Sequence, residues 1–207
     1  VERVGDTMQM RGIRDGDGWL VATSGNGDVR VPIHVRGTDT IPPVSFRNDV
    51  IPLLTRSGCN SGSCHGAASG KEGFRLSLFG YDPSRDHLAL THDLRARRVD
   101  PQAPEQSLMM QKATASVPHK GNQRFPKDSE AFERLRHWIA DGAPDDKQTA
   151  PALVGIDVFP ADAVLVGKHA LLPLQVRARY ANGDDRDVTA LALWSTSNDD
   201  AATVSAT

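Results

Sequence analysis

The sequence predicts a multidomain α + β protein, with a mainly α-helical domain over residues 44–148 and β-strand segments over 1–40 and 152–207. Alternation of apolar and polar residues, which is typical of strands, occurs near both ends of the chain. An apolar face with helical spacing occurs between 128 and 142. The 18 glycines and 13 prolines indicate short elements joined by many turns. We therefore expect a helical domain together with an all-β sandwich formed by the end segments.

Composition limits the partners of this chain. Its 207 residues carry 24 Lys and Arg against 26 Asp and Glu, a formal net charge of −2. Charges of both signs are interspersed, which argues against nucleic acid or an anionic membrane as the main partner. No apolar run approaches the roughly 20 residues of a membrane span. The first residues show no signal-peptide pattern and begin with Val1, so we expect a piece of a longer exported protein.

The first β segment covers residues 1–37. Its clearest strand is 29–35, in which four β-branched residues on one face alternate with Arg30, Pro32 and His34 on the other. A second run, 19–22, also has strand character, and glycine turns are expected at 15–18 and 25–28. About three strands are too few for a stable domain, so the segment needs a partner sheet.

A proline-containing linker, 37–43, leads to the first predicted helix. Ser45 is a plausible N-cap, and Phe46, Val50 and Leu53 or Leu54 share one face. Pro52 is expected to kink this helix or to end it early.

The cysteine motif follows directly and contains both cysteines of the chain, Cys59 and Cys64, with His65 beside the second. Two thiols and an adjacent histidine are typical of covalent haem c attachment. Each thiol would add to a vinyl group of the porphyrin to form a thioether, and His65 would bind the iron. Four residues separate the cysteines where two are usual, and the small residues between them, Gly62 included, allow the longer loop to bulge.

Three other interpretations of the motif stay open. The two cysteines could form a disulfide that closes a small loop. They could be two zinc ligands, although the chain has no second cysteine pair. They could also be unrelated thiols. The histidine next to the second cysteine favours haem, because it has no role in a disulfide.

Small residues at 66–70 let the chain pass close to a flat ring. The next segment, 73–83, alternates apolar Phe74, Leu76 and Leu78 with polar residues. This pattern predicts an extended segment that lies against the edge of the haem, and an ordinary core strand is the alternative.

The stretch 84–100 is rich in charge, and we expect its two histidines, His87 and His92, to lie on a solvated face. A short helix is predicted for 105–112, with Leu108 buried.

The clearest helix is predicted for 128–142. Asp128 or Ser129 caps it, with glutamates in its first turns and basic residues in its last turns, as the helix dipole favours. Its apolar face consists of Phe132, Leu135, Trp138 and Ile139. His137 lies off that face and is expected at the surface.

A polar linker over 145–152 precedes the last β segment. Strands are predicted for 153–159, 171–180 and 190–194, and the turn at 181–184 should join two of them as a hairpin.

Residues 44–148 resemble the cytochrome c-like domain of large exported planctomycete proteins. The similarity consists of 44–52, the haem loop 58–68, the segment 73–83, 117–121 and the helix end 138–144. The last region resembles the first part of a bacterial group 2 immunoglobulin-like domain, through 180–189 and 194–198. Residues 1–37 resemble the second part of such a domain by strand pattern and glycine turns.

The two end segments together approach the ~100 residues of a complete immunoglobulin-like sandwich. We therefore expect them to pair, either within one chain or by strand exchange in a homodimer. Separate remnants of two domains are the alternative.

The sixth iron ligand in cytochromes c often comes from a Met in a loop before the last helix, a position that the resemblance places at 117–125. This chain departs from the pattern, because the strong ligand in that stretch is His119. His119 is favoured over Met109 and Met110, which lie in a predicted helix, and over an open or water-bound position. His119 could instead bond to a haem propionate, and Arg124 and Lys120 are close enough in sequence to pair with propionates.

The resemblance implies a monohaem c-type electron-transfer module, not an enzyme, with one covalent haem c and a redox protein as partner. Two other functions stay open. One is a haem enzyme or gas sensor with an exchangeable sixth ligand, and the other is an adhesion or carbohydrate-contacting protein with an accessory haem module. No set of catalytic residues is apparent. Haem c is attached outside the cytoplasm, so a periplasmic or extracellular location is expected.

Overall fold

The computed structural model describes residues 2–4, 7–25, 27–40 and 42–205. The chain divides into two compact units, Val1–Pro43 and Val44–Thr207. No helix in the described ranges is both long enough and apolar enough to cross a membrane.

The first unit consists of two antiparallel strand pairs. Strands β1 (Glu2–Val4) and β2 (Thr7–Gln9) form one pair, and β3 (Gly16–Ser24) and β4 (Gly27–Val35) form a long hairpin. The predicted strands at 19–22 and 29–35 are confirmed as parts of β3 and β4. The turn predicted at 15–18 is wrong, because Gly16 already pairs with Val35 at the start of β3. The turn predicted at 25–28 includes Asn26, which lies outside the described residues.

In the second unit, a π-helical turn, Phe46–Val50, runs directly into helix α1 (Ile51–Arg56). The predicted cap is confirmed, since the Ser45 hydroxyl accepts a hydrogen bond from the amide of Asn48 at 2.9 Å. The expectation that Pro52 ends the helix early is wrong. Pro52 lies in the first turn of α1, where the missing N–H has no helical partner to lose.

Three more α-helices follow, α2 (Pro83–Thr91), α3 (Leu108–Ala113) and α4 (Glu130–Ala140), with 3₁₀ turns at Leu78–Gly80 and Pro104–Gln106. Helix α4 agrees with its prediction, because Ser129 caps it and its whole predicted apolar face is buried. Helix α2 was not predicted, since the charges of 84–100 mask its pattern. Burial of His87 corrects the expected solvated position: its Nε2 donates to the Ala143 carbonyl at 2.8 Å.

The last segment forms a three-stranded antiparallel sheet of β5 (Leu153–Phe159), β6 (Gln175–Tyr180) and β7 (Asp185–Asp187), in the order β5-β6-β7. The turn at 181–184 does form a hairpin, but it joins β6 to β7, a strand that was not predicted. The strand predicted for 190–194 is wrong. A 3₁₀ turn, Thr189–Leu191, occupies its place and buries Leu191 in the core.

The expected fold class, a mainly α-helical domain plus an immunoglobulin-like sandwich, is contradicted. The described α-helices have only 6 to 11 residues, and the described strands form three separate small sheets. A sandwich requires two sheets packed face to face. Val29 and Val31 on β4 remain 65% and 50% exposed, and Ile156 on β5 is 59% exposed. Strand alternation identified an apolar face on each hairpin, but alternation alone does not reveal whether another sheet covers that face.

The buried carboxylate of Asp49 joins three parts of the second unit. It accepts hydrogen bonds from the amide of Ser45 at 2.9 Å, from Arg134 of α4 at 2.7 Å and from Arg186 of β7 at 2.5 Å. Asp49 is only 3% exposed, so water screens these ion pairs weakly. The C-terminal sheet is thereby fixed to the helical core.

We expect Asp49→Asn to lower the free energy of unfolding by about 2–4 kcal/mol, because the loss of one charge leaves two guanidinium groups without their buried partner. Urea unfolding followed by circular dichroism measures the change. Glu133→Gln is the matched control. It removes an equal charge from an exposed pair with Arg136 and should cost below about 1 kcal/mol. Equal losses in the two variants would contradict a special role for Asp49.

Candidate functional site

A cavity of about 1220 Å³ opens in the second unit. It is larger than the roughly 300–1,000 Å³ of most ligand pockets. Its walls include every residue that the sequence predicted for cofactor binding, namely Cys59, Cys64, His65, His119 and Arg124. Residues that are 60 positions apart in the chain thus meet around one space.

The end of helix α1 positions the cysteine loop. The Cys59 amide donates to the Leu54 carbonyl at 2.9 Å, which extends the helical path into the loop. The chain then folds back, so that the His65 amide donates to the Cys59 carbonyl at 3.0 Å and the Gly66 amide to the Ser61 carbonyl at 3.0 Å. The four residues between the cysteines form the predicted bulge.

The two thiols are not joined, since both cysteines are free. Burial raises the pKa of the Cys59 thiol to about 11, against the attraction of the nearby Arg124 charge, so this thiol is protonated at neutral pH. Within the described part of the chain, no three or more His, Cys, Asp or Glu side chains are grouped to hold a metal ion. The zinc interpretation therefore lacks a ligand set there, and a disulfide is not formed.

His65 is oriented by the segment that follows the cysteine loop. Its Nδ1 lies 3.1 Å from the Phe74 carbonyl, which can only accept, so Nδ1 carries the proton and Nε2 keeps a free lone pair. Burial lowers the pKa of His65, although the Phe74 bond opposes this effect. A neutral imidazole with one nitrogen anchored to a carbonyl is the form that binds metals.

His119, which also lines the cavity, is oriented in a similar way. Its Nδ1 donates to the Asn122 carbonyl at 2.8 Å, which again leaves Nε2 with a free lone pair. The two imidazole rings are nearly parallel, with a 6° angle between their planes and 6.4 Å between their centres.

The separation of the rings tests whether one metal ion fits between them. An imidazole nitrogen binds a metal at about 2 Å and lies about 1 Å from its own ring centre, so two ligands on opposite sides of one ion have centres about 6 Å apart. The observed 6.4 Å agrees with this value. The spacing and the parallel planes of the two rings are therefore compatible with one iron bound by both histidines.

The two methionines differ in position. Met110 is fully buried in the hydrophobic core and is absent from the cavity walls, as expected of a packing residue. Met109 does line the cavity, but it is partly packed against the same core. The ring of His119, by contrast, lines the cavity and is nearly parallel to the ring of His65.

The cavity walls combine apolar side chains with an excess of positively charged ones. Leu54, Phe74, Leu76, Leu90, Phe125 and Leu135 provide apolar surface. The cations among the lining residues are Lys71, Arg97, Arg98, Lys112, Lys120 and Arg124, against one acid, Glu72. A flat apolar group with acidic substituents matches such walls, and haem has this chemistry.

The sequence did not reveal the residues that hold His65 in place. Arg98 is 5% exposed, donates to the Ala89 carbonyl at 2.9 Å and lies 4.3 Å above the Phe74 ring. The Phe74 ring in turn contacts the His65 ring, with 4.5 Å between centres. The alternating pattern did single out Phe74, but no sequence pattern indicates that its backbone carbonyl orients His65. Of the predicted haem-edge residues, Leu78 is outside the cavity walls and 48% exposed.

Comparison with models of protein families, with curated proteins and with solved structures found no match to this chain.

We expect Gly66→Ala to disrupt the cysteine loop, since an added Cβ would lie 2.0 Å from the carbonyl oxygen of Asn60. The expected loss in unfolding free energy is about 1–3 kcal/mol, measured by urea unfolding. Gly62→Ala in the same loop is the control, because the nearest atom to its Cβ would be 3.8 Å away. Equal stability of the two variants would contradict this tight packing of the loop.

Proposed function

We propose that this chain is a monohaem c-type electron-transfer module. Cys59 and Cys64 would form the two thioethers, and His65 and His119 would be the axial ligands of the iron. The observation that supports this most directly is the pair of parallel imidazoles, 6.4 Å between centres, in a cavity that also contains both free thiols.

The bound haem would supply a one-electron couple at its iron. The protein residues orient and shield it. The Phe74 carbonyl accepts a hydrogen bond from Nδ1 of His65, and the Asn122 carbonyl accepts one from Nδ1 of His119. These bonds fix the orientation of each ring and leave each Nε2 lone pair free to bind the iron. The apolar walls, among them Leu76 and Phe125, would keep water away from a bound haem. If His65 and His119 both bound the iron, no open position would remain there for a substrate, which favours electron transfer over catalysis.

The ligand pair also sets the direction of the reduction potential. A thioether sulfur favours reduced iron more than a second imidazole does, so His65 and His119 predict a lower potential than a His/Met pair. The proposal includes a redox protein as partner and a periplasmic or extracellular location, where haem c is attached.

We expect the haem to be covalent. After acid–acetone extraction, intact mass spectrometry should show the full chain with one haem retained, because thioethers survive the extraction. In Cys59→Ser/Cys64→Ser the haem should be extracted completely. Loss of haem from the unaltered protein would contradict thioether attachment.

His119→Ala should convert the ferric iron from low spin to high spin, since it removes one of two strong-field nitrogen ligands. Optical and electron paramagnetic resonance spectra measure the change. Met109→Leu, a similar-sized change in the same cavity, is the control and should leave the iron low spin. If the His119 variant stays low spin while the Met109 variant does not, Met109 is the ligand. Carbon monoxide binding by the unaltered ferrous protein would favour an exchangeable site instead.

A further inference from the structure

The hydrogen bond that orients each histidine does not connect the two loops that carry the histidines, so another contact must connect these loops. His65 bonds to Phe74, and His119 bonds to Asn122. Neither contact joins the cysteine loop, 58–66, to the His119 loop, 117–125. Among the hydrogen bonds of the described residues, the one that joins these two loops runs from Arg124 Nη2 to Cys64 Sγ, at 3.4 Å.

The guanidinium of Arg124 occupies a closely fitted place. Its backbone amide donates to the Ala113 carbonyl at the end of α3, at 2.7 Å, which anchors the residue. A Cβ added to Gly121 would lie 2.9 Å from Arg124 Nη2 and 3.0 Å from His119 Nε2. The guanidinium and the His119 ring therefore both lie beside Gly121, where an added side chain would crowd them. Arg124 thus touches the sulfur next to one ligand and flanks the other ligand.

One further ion pair links the His119 loop to the neighbouring segment, between Lys120 and Glu72 at 2.6 Å. Its side chains are 90% and 75% exposed, so solvent screens the attraction and the pair fixes little. Arg124, by contrast, is largely buried, and its planar guanidinium holds a fixed direction better than the ammonium group of a lysine does.

We propose that Arg124 is a positioning residue that holds the His119 loop against the cysteine loop and so sets the spacing of the two axial histidines. This inference rests on the proposed function. It replaces the propionate contact expected from sequence: thioethers lie at the vinyl edge of a porphyrin, the propionates lie at the opposite edge, and the guanidinium is on the sulfur of Cys64.

A second effect follows from the charge. A guanidinium keeps its positive charge in proteins. Placed beside the iron site, it favours the reduced state, which carries one positive charge fewer. Removal of the charge should therefore lower the midpoint potential, whereas loss of the contact geometry should weaken axial ligation. The two effects are separable with the right variants.

The test uses the full chain with Arg124→Gln, Arg124→Lys and, as control, Arg97→Gln. Arg97 is an exposed cation in the same cavity walls. In the haem-free protein, Arg124→Gln should make amide hydrogen exchange roughly three- to tenfold faster in both loops, 58–66 and 117–125. Arg97→Gln should leave both loops within twofold of the unaltered protein. Because no haem is involved, this measurement decides the positioning role even if the proposed function fails.

In the haem-loaded protein, imidazole displacement of the sixth ligand should be roughly tenfold faster in Arg124→Gln and nearly unchanged in Arg97→Gln. Both changes should lower the midpoint potential, because both remove a cation. Arg124→Lys should keep the midpoint potential close to that of the unaltered protein. Its displacement rate should lie between those of the unaltered protein and Arg124→Gln. If the Gln variant folds and the two loops of the haem-free protein exchange no faster than in Arg97→Gln, the inference is wrong. If the Gln variant fails to fold, the Lys variant decides by the same two measurements.

Discussion

The packing of α4 against the helical segment 46–56 is the interaction on which the rest of the second unit depends. Trp138 stacks on Phe46 with 5.2 Å between ring centres, and both side chains are fully buried. This contact fixes the direction of α1, whose last turn leads into Cys59. Leu54 and Leu135, one from each partner, continue from the core into the cavity wall. The hydrophobic core and the apolar wall of the cavity are therefore one continuous packed structure.

The second unit contains two groups of charged residues with different roles. Asp49 is a buried carboxylate with arginine partners, and it connects the helical core to the last sheet. The cavity has the opposite sign: its walls hold six cations and one acid in a chain whose net charge is −2. Such a local excess of positive charge is balanced when the pocket contains an acidic group. Of these cations, Arg124 differs from the rest because it contacts the cysteine sulfur itself.

The β regions show where strand patterns stop being informative. Val29 and Val31 lie on the face that alternation marked as apolar, and both remain largely exposed, as does Ile156 on β5. Local alternation depends on the preference of each residue for one side of a pleat, whereas a sandwich depends on a second sheet at a distance of about 10 Å. The strands at 29–35 and 153–159 were thus predictable, while the sandwich was not. Helix α2 was missed for a related reason, since two of its four buried residues, Asp86 and His87, are polar and interrupt the apolar pattern.

The sequence by itself determined which thiols and imidazoles the site contains and the local elements that hold them. The Cys-x4-Cys-His string, the Ser45 and Ser129 caps and the apolar face of α4 are short-range patterns, and short-range patterns are set by backbone geometry and nearest neighbours. Only the tertiary structure decided that His119 lies parallel to His65, that backbone carbonyls orient both rings, and that Arg124 lies on the sulfur of Cys64. These contacts join residues up to 60 positions apart, and their distances follow from the packing of helices, for which a single sequence carries no direct signal.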